Sequence, residues 1–249
     1  MVAVPLPGRR AQARYRAPRL AARRHCRSRQ ARPCVRANRG GKVIELGQYM
    51  RRFVLYRTQE EHSDDCEKFP YREIPGRVFL DTNIIDCLVK WPKCIFEMEG
   101  TPPDMEDKLQ TDIESLMHVF HVGSRASWDL VASELTLKEL AATQDAVLRE
   151  ELLDYGIGFV DLANNGNENK RYARGLARRL RGSNFLASLP DRNDRDLIAH
   201  AIAFQCDAFC TRDRRSIRRK RNSLRALPLK ILTPAEWWQH IKPWAGLWC

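Results

Sequence analysis

An α/β fold with a parallel sheet covered on both faces is what this sequence predicts, on three observations. From residue 76 onward, short apolar runs of strand length alternate with longer segments of helical periodicity. Two of those runs end on an acid or lead straight to one, as Arg77-Val78-Phe79-Leu80-Asp81 and Ala208-Phe209-Cys210-Thr211-Arg212-Asp213. Carboxylates so placed lie at the edge of a buried sheet, where open α/β folds put their ligands. Helix-start signals also follow strand candidates at once: in Leu232-Thr233-Pro234-Ala235-Glu236, Thr233 and Glu236 form a capping box with Pro234 at N1.

In chain order, Pro75-Gly76 is a turn signal before a strand over 77–81. A helix follows through Ile84, Ile85, Leu88 and Val89. After a proline-containing loop at 100–103, Leu109, Ile113, Leu116, Met117 and Phe120 repeat at helical spacing, which predicts a helix near 106–121. Trp128-Asp129-Leu130-Val131-Ala132 reads as the next strand. Thr136 and Glu139 have capping-box spacing, with Thr136 as N-cap, and head a helix that Gly156 would end. Residues 158–162 read as a short strand, 167–181 as a basic helix and 193–205 as another helix. Strands over 208–211 and 229–232 complete the pattern. Ahead of this core, 43–46 and 53–56 read as extended, and 58–68 as an acidic, polar linker. The expected organisation is a tail over 1–40, an extension over 41–75, a folded domain over 76–243 and a short C-terminal tail over 244–249.

The net charge of +12 is unevenly placed. Residues 1–40 hold twelve arginines and no acid, so the tail alone supplies +12 and the remainder sums to about zero. Within that remainder, 168–230 carries 17 Lys and Arg against 6 Asp and Glu, while 41–167 carries 13 against 24. A neutral body with one basic region suits a local track for phosphates better than a generally adhesive surface. The tail lacks the apolar core of a secretory signal. It reads as a disordered arm, an organelle-targeting segment, a nonspecific RNA-binding arm, or sequence ahead of a true start near Met50.

Eight cysteines show no CxxC pair and no regular spacing, which argues against a disulfide framework or a zinc site. Reduced thiols and a cytoplasmic setting are the simpler expectation. No apolar stretch approaches the roughly 20 residues needed to cross a bilayer.

Four signals then stand in order: Asp81-Thr82-Asn83; Ser133-x-x-Thr136-x-x-Glu139-Leu140; Asp196-Leu197-Ile198-Ala199-His200-Ala201; and Thr211-Arg212-Asp213. Together they resemble the PIN-domain nucleases, over about residues 77–241. The resemblance implies a three-layer α/β/α sandwich with a central parallel sheet. It also implies an endoribonuclease whose site, made of Asp81, Glu139, Asp196 and Asp213, binds Mg²⁺ or Mn²⁺. Converging carboxylates repel one another unless a hard cation sits among them, so the residue types point the same way.

Asp81 and Asp196 are expected as direct ligands, Asp196 being favoured by its helix N-terminus. Asp213 would complete the shell or position the attacking water. Glu139 is either a site acid or simply the cap of its own helix. Asn83 and Thr211 suit hydrogen bonds that orient a carboxylate. Asp191 or Asn193 reads as a helix cap, and Asp194 as a first-turn acid with a metal-site role as its alternative. His200 reads as a packed histidine. Arg171, Arg174 and Arg178, with Arg214 and Arg215 after the fourth acid, are candidate phosphate contacts. Trp237, Trp238, Trp244 and Trp248 read as packing for the last helix, with base stacking as the alternative.

The separation of Asp81 from Glu139 exceeds that of the small toxins of bacterial toxin–antitoxin pairs. The role is therefore open between toxin and RNA-processing nuclease, with RNA as substrate and an antitoxin protein or a second copy as further partners. The rival readings are a noncatalytic RNA-binding scaffold on the same fold and a phosphatase of the α/β class. The second is disfavoured because Asp81 is followed by Thr82-Asn83 and no second Asp stands two residues on.

Overall fold

The computed structural model describes residues 58–123, 128–163, 167–224 and 226–245. The chain divides into two units, Met1–Leu46 and Gly47–Cys249, and all described residues belong to the second. The expectations for the tail, for 43–46 and 53–56, and for Trp248 lie outside the described residues.

Four strands form one sheet: β1 (Arg77–Leu80), β2 (Asp129–Val131), β3 (Ala208–Cys210) and β4 (Lys230–Leu232). The order is β2-β1-β3-β4 and every pairing is parallel, with Phe79 opposite Val131 on one side and Phe209 on the other. Alternation along the strands sends side chains to two faces. Val78, Leu80, Ala208, Cys210 and Leu232 join one apolar cluster; Phe79, Val131, Phe209 and Ile231 join another. The α/β expectation with a parallel sheet holds, and buried clusters occupy both faces. Because β1 sends its neighbours in chain order to opposite sides, the strand order reverses between β1 and β3, and the crevice at their carboxyl ends is the natural binding place.

Ten α-helices surround the sheet among the described residues: α1 (Gln59–Lys68), α2 (Thr82–Lys90), α3 (Pro92–Phe96), α4 (Asp107–Gly123), α5 (Glu134–Ala141), α6 (Ala146–Ala163), α7 (Asn167–Arg181), α8 (Arg192–Ala203), α9 (Ile217–Lys220) and α10 (Pro234–Ile241). The Thr233 hydroxyl accepts the Glu236 N–H and the Glu236 carboxylate accepts the Thr233 N–H, with Pro234 at the first helical position, as the sequence predicts. Trp237 and Trp238 of α10 are buried, in keeping with packing.

Three expectations fail for identifiable reasons. The acidic stretch at 58–68 is a helix and not a linker; the Thr58 hydroxyl caps it by accepting the Glu61 N–H, which offsets its lack of a buried face. The cap of α5 is Ser133, not Thr136: Ser133 accepts the Leu135 and Thr136 N–H groups while Thr136 reaches back to the Ser133 N–H. Two hydroxyl residues three apart offered two registers, and the earlier one won. The strand read at 158–162 is instead the last part of α6, which runs straight through Gly156 and Gly158. Gly156 does not end the helix; a Cβ there would come within 2.7 Å of Leu137 and 2.8 Å of Leu140, so its missing side chain lets α6 lie close on α5.

Candidate active site

At the carboxyl ends of β1 and β3 lies a cleft of about 360 Å³. Its walls bring together acids from four segments: Asp81 after β1, Glu139 on α5, Asp194 on α8 and Asp213 after β3. Asp86, one turn into α2, lines it too and pairs with Lys90 at 2.9 Å.

Asp81 is 5% exposed and sits at the N-cap of α2. One carboxylate oxygen accepts the Thr82 N–H at 2.8 Å. The other accepts Asn83 Nδ2 and the Thr211 hydroxyl, each at 2.5 Å. Asn83 in turn accepts the Arg212 N–H at 2.8 Å, and Thr211 Oγ1 accepts the Asp213 N–H at 2.9 Å. Asn83 and Thr211 thus stand where the sequence put them, tying the end of β1 to the loop after β3. Burial pushes the Asp81 carboxyl up to about 7 despite the Thr211 and Thr82 bonds, and the charges of Glu139 and Asp194 push the same way.

Glu139 has no capping role. The Thr82 hydroxyl donates to it, so one threonine links Asp81 through its N–H and Glu139 through its side chain. Burial, then the charges of Asp194 and Asp191, raise its pKa against the opposing Thr82 bond. On the other side of the cleft the Ser216 hydroxyl touches Asp194, at 2.7 Å, and also Asp213. A hydroxyl has one proton to give. Asp213 also accepts the Arg215 and Ser216 N–H groups at 2.8 and 2.9 Å. Burial alone would raise the Asp213 carboxyl, but the Ser216 hydroxyl and then those N–H groups hold it below the usual range. Asp194 is raised, by burial first and then by the charges of Asp191 and Asp213.

Asp196 is not in the cleft. Two residues further round α8 than Asp194, it turns about 200° away and meets Arg181 of α7 at 3.3 Å. Asp191 caps α8 by accepting the Asn193 N–H, and His200 packs edge-on against Phe204. A signal for Asp194 was present: it precedes the buried Leu197 and Ile198 by three and four residues, so it shares their face, whereas Asp196 shares a face with His200. Thr82 and Asp86, which line the cleft, and Ser216, whose hydroxyl touches Asp194 and Asp213, were missed; only packing shows where their side chains lie.

The basic residues divide. Arg214 and Arg212 both bind Asp112 of α4, which is 1% exposed, at 3.0 and 3.2 Å. Arg214 therefore holds the loop that carries Asp213 to α4 and is not free to grip phosphate. Arg215 is exposed beside it. Arg174 meets Glu134 of α5 at 2.8 Å with both side chains more than half exposed, a pair worth roughly 0–1 kcal/mol that a phosphate can displace. Arg171 and Arg178 are exposed.

As they stand, no group of three or more His, Cys, Asp and Glu side chains among the described residues could hold a metal ion. The acids are instead drawn onto the chain's own hydroxyls and amides. Their chemistry nonetheless fits a hard cation: the donors are all oxygen, and burial and mutual repulsion leave three of them with raised pKa values, which a positive charge relieves.

The five cysteines among the described residues are free thiols, and no helix among the described residues is long and apolar enough to cross a membrane. Compared with protein-family models, with curated proteins and with solved structures, the chain matches none.

Proposed function

We propose that this chain is a metal-dependent endoribonuclease on a three-layer, PIN-like architecture, with Asp81, Glu139, Asp194 and Asp213 as its acids. The observation that carries this reading is the convergence of those four carboxylates, from four separate segments, on one cleft at the switch point of a parallel sheet. A scaffold gains nothing from that convergence and bears the cost of burying Asp81. Mg²⁺ or Mn²⁺ bound there would lower the pKa of a coordinated water and neutralise charge on the phosphoryl oxygens.

The chain's own residues would do the rest. Thr211 and Asn83 fix Asp81 in one orientation. Asp213, held below its usual range by the Ser216 hydroxyl and then by the backbone N–H groups beside it, is suited to ligation. Glu139 and Asp194, both raised above the ordinary carboxylate range by burial, are the carboxylates suited to accept the water's proton. A competing reading, RNA binding without catalysis, draws on the satisfaction of the acids by the chain's own donors.

Full-length protein incubated with labelled single-stranded and structured RNAs, with Mg²⁺, Mn²⁺ or EDTA, tests the choice. Metal-dependent cutting is expected, lost in Asp81→Asn and Asp194→Asn and largely kept in Asp196→Asn. Cutting that survives EDTA or Asp81→Asn would overturn the site; binding without cutting under every metal would favour the scaffold.

A further inference from the structure

Gly175 occupies the middle of α7, is exposed, and a Cβ built there would meet nothing within 4 Å. No packing against the described residues requires it, yet a glycine inside a helix is less stable than alanine. On a helical surface its neighbours are the residues three and four away: Arg171, Tyr172, Arg178 and Arg179. All four are exposed, Tyr172 by 58%. Among the described residues no ion pair involves any of the three arginines. A second aromatic, Phe185, is 60% exposed in the short turn that follows α7.

A bare patch of helix backbone framed by three arginines and an open tyrosine ring has a specific chemistry. The arginines suit phosphates. The ring is a platform for a base whose face is free, which a duplex does not offer. The glycine admits a sugar–phosphate chain closer than any side chain would. The same helix is tied to the acid cleft: Arg174 bonds to Glu134 of α5, the helix of Glu139, and Arg181 to Asp196 of α8, the helix of Asp194.

We propose that this face of α7 binds single-stranded RNA, with Tyr172 stacking on an unpaired base and Gly175 seating the backbone between Arg171, Arg178 and Arg179. The proposal rests on the ribonuclease reading for its choice of RNA, and it narrows the substrate to unpaired strands.

A control lies within the chain. Gly158 of α6 is equally open and also follows an exposed tyrosine by three residues, Tyr155, but its neighbour one turn earlier on the other side is the exposed Asp154. Binding of the full-length protein to a labelled unstructured oligoribonucleotide and to a hairpin of equal length would be measured in EDTA, so that nothing is cut. Tyr172→Ala should weaken the unstructured oligonucleotide about tenfold and the hairpin far less. Gly175→Gln should weaken it by a similar factor while raising Tm, which a merely structural role for the glycine would not produce. Gly158→Gln should raise Tm and leave binding unchanged.

Unchanged affinity in both Tyr172→Ala and Gly175→Gln would overturn the proposal, leaving the face to a partner such as an acidic protein segment. Equal losses on hairpin and unstructured RNA would overturn the stacking. The ribonuclease reading fails separately: if no RNA is cut under any metal yet binding depends on Tyr172, the binding face stands and the nuclease does not.

Discussion

Helices α6 and α7 share a local device and differ in charge. Each carries an exposed glycine in open space with an exposed tyrosine one turn earlier, Tyr155 before Gly158 and Tyr172 before Gly175. Near the first stand Glu151 and Asp154; around the second stand Arg171, Arg178 and Arg179. Backbone geometry and helix propensity are alike at the two places, so any difference in what they bind must come from electrostatics. A polyanion should find one face and avoid the other. A third glycine, Gly156, separates the two uses of the residue: it lies only two positions from Gly158, yet it packs against Leu137 and Leu140 instead of facing solvent.

The largest expected effect sharpens the charge half of this comparison. Reversing Arg171, Arg178 and Arg179 to Glu together should abolish measurable binding of unstructured RNA at moderate salt. Changing them to Gln should instead lower the slope of log affinity against log salt by about 2, since each contact to a single strand contributes about 0.7. Changing Glu151 and Asp154 of α6 to Gln should change affinity little; a loss there comparable to that on α7 would break the comparison. Next in size is packing. Gly156→Leu should destabilise the fold by about 1–3 kcal/mol, because the new side chain must enter the space of the buried Leu140; chemical denaturation reads this directly. Smallest are Gly158→Ala and Gly175→Ala, each expected to stabilise by about 0.4–1 kcal/mol. A loss of stability at either would show that its openness is not the whole of its environment.

Much of the lining of the cleft was legible in the residues alone, for reasons visible in each case. Asp81 and Asp213 follow strands, and a strand's end fixes where the next residue points relative to the sheet edge. Glu139 was found, but its competing role as a helix cap could be removed only when Ser133 proved to hold the cap. The main difference is at α8, where Asp194 and not Asp196 lines the cleft. Both precede the apolar run of α8, and two residues apart on a helix means opposite directions. Ser216 and Thr82 carry no sequence signature, since a hydroxyl gains meaning only from what lies within 3 Å of it.

The sequence by itself determined the alternation of strands and helices, and with it a parallel sheet whose switch point gathers acids. It also determined the sign of charge on each helix, because these depend on neighbours along the chain. Which face of α8 meets the cleft, that α6 continues through two glycines, and that Arg214 is held by Asp112 while Arg178 stays exposed were decided by tertiary structure alone. Each of those outcomes depends on a partner 19 or more residues away in the chain, whether Leu137 beside Gly156, Ser216 beside Asp194 or Asp112 beside Arg214. Local propensity is nearly indifferent between the alternatives at such positions, so packing and ion pairing make the choice.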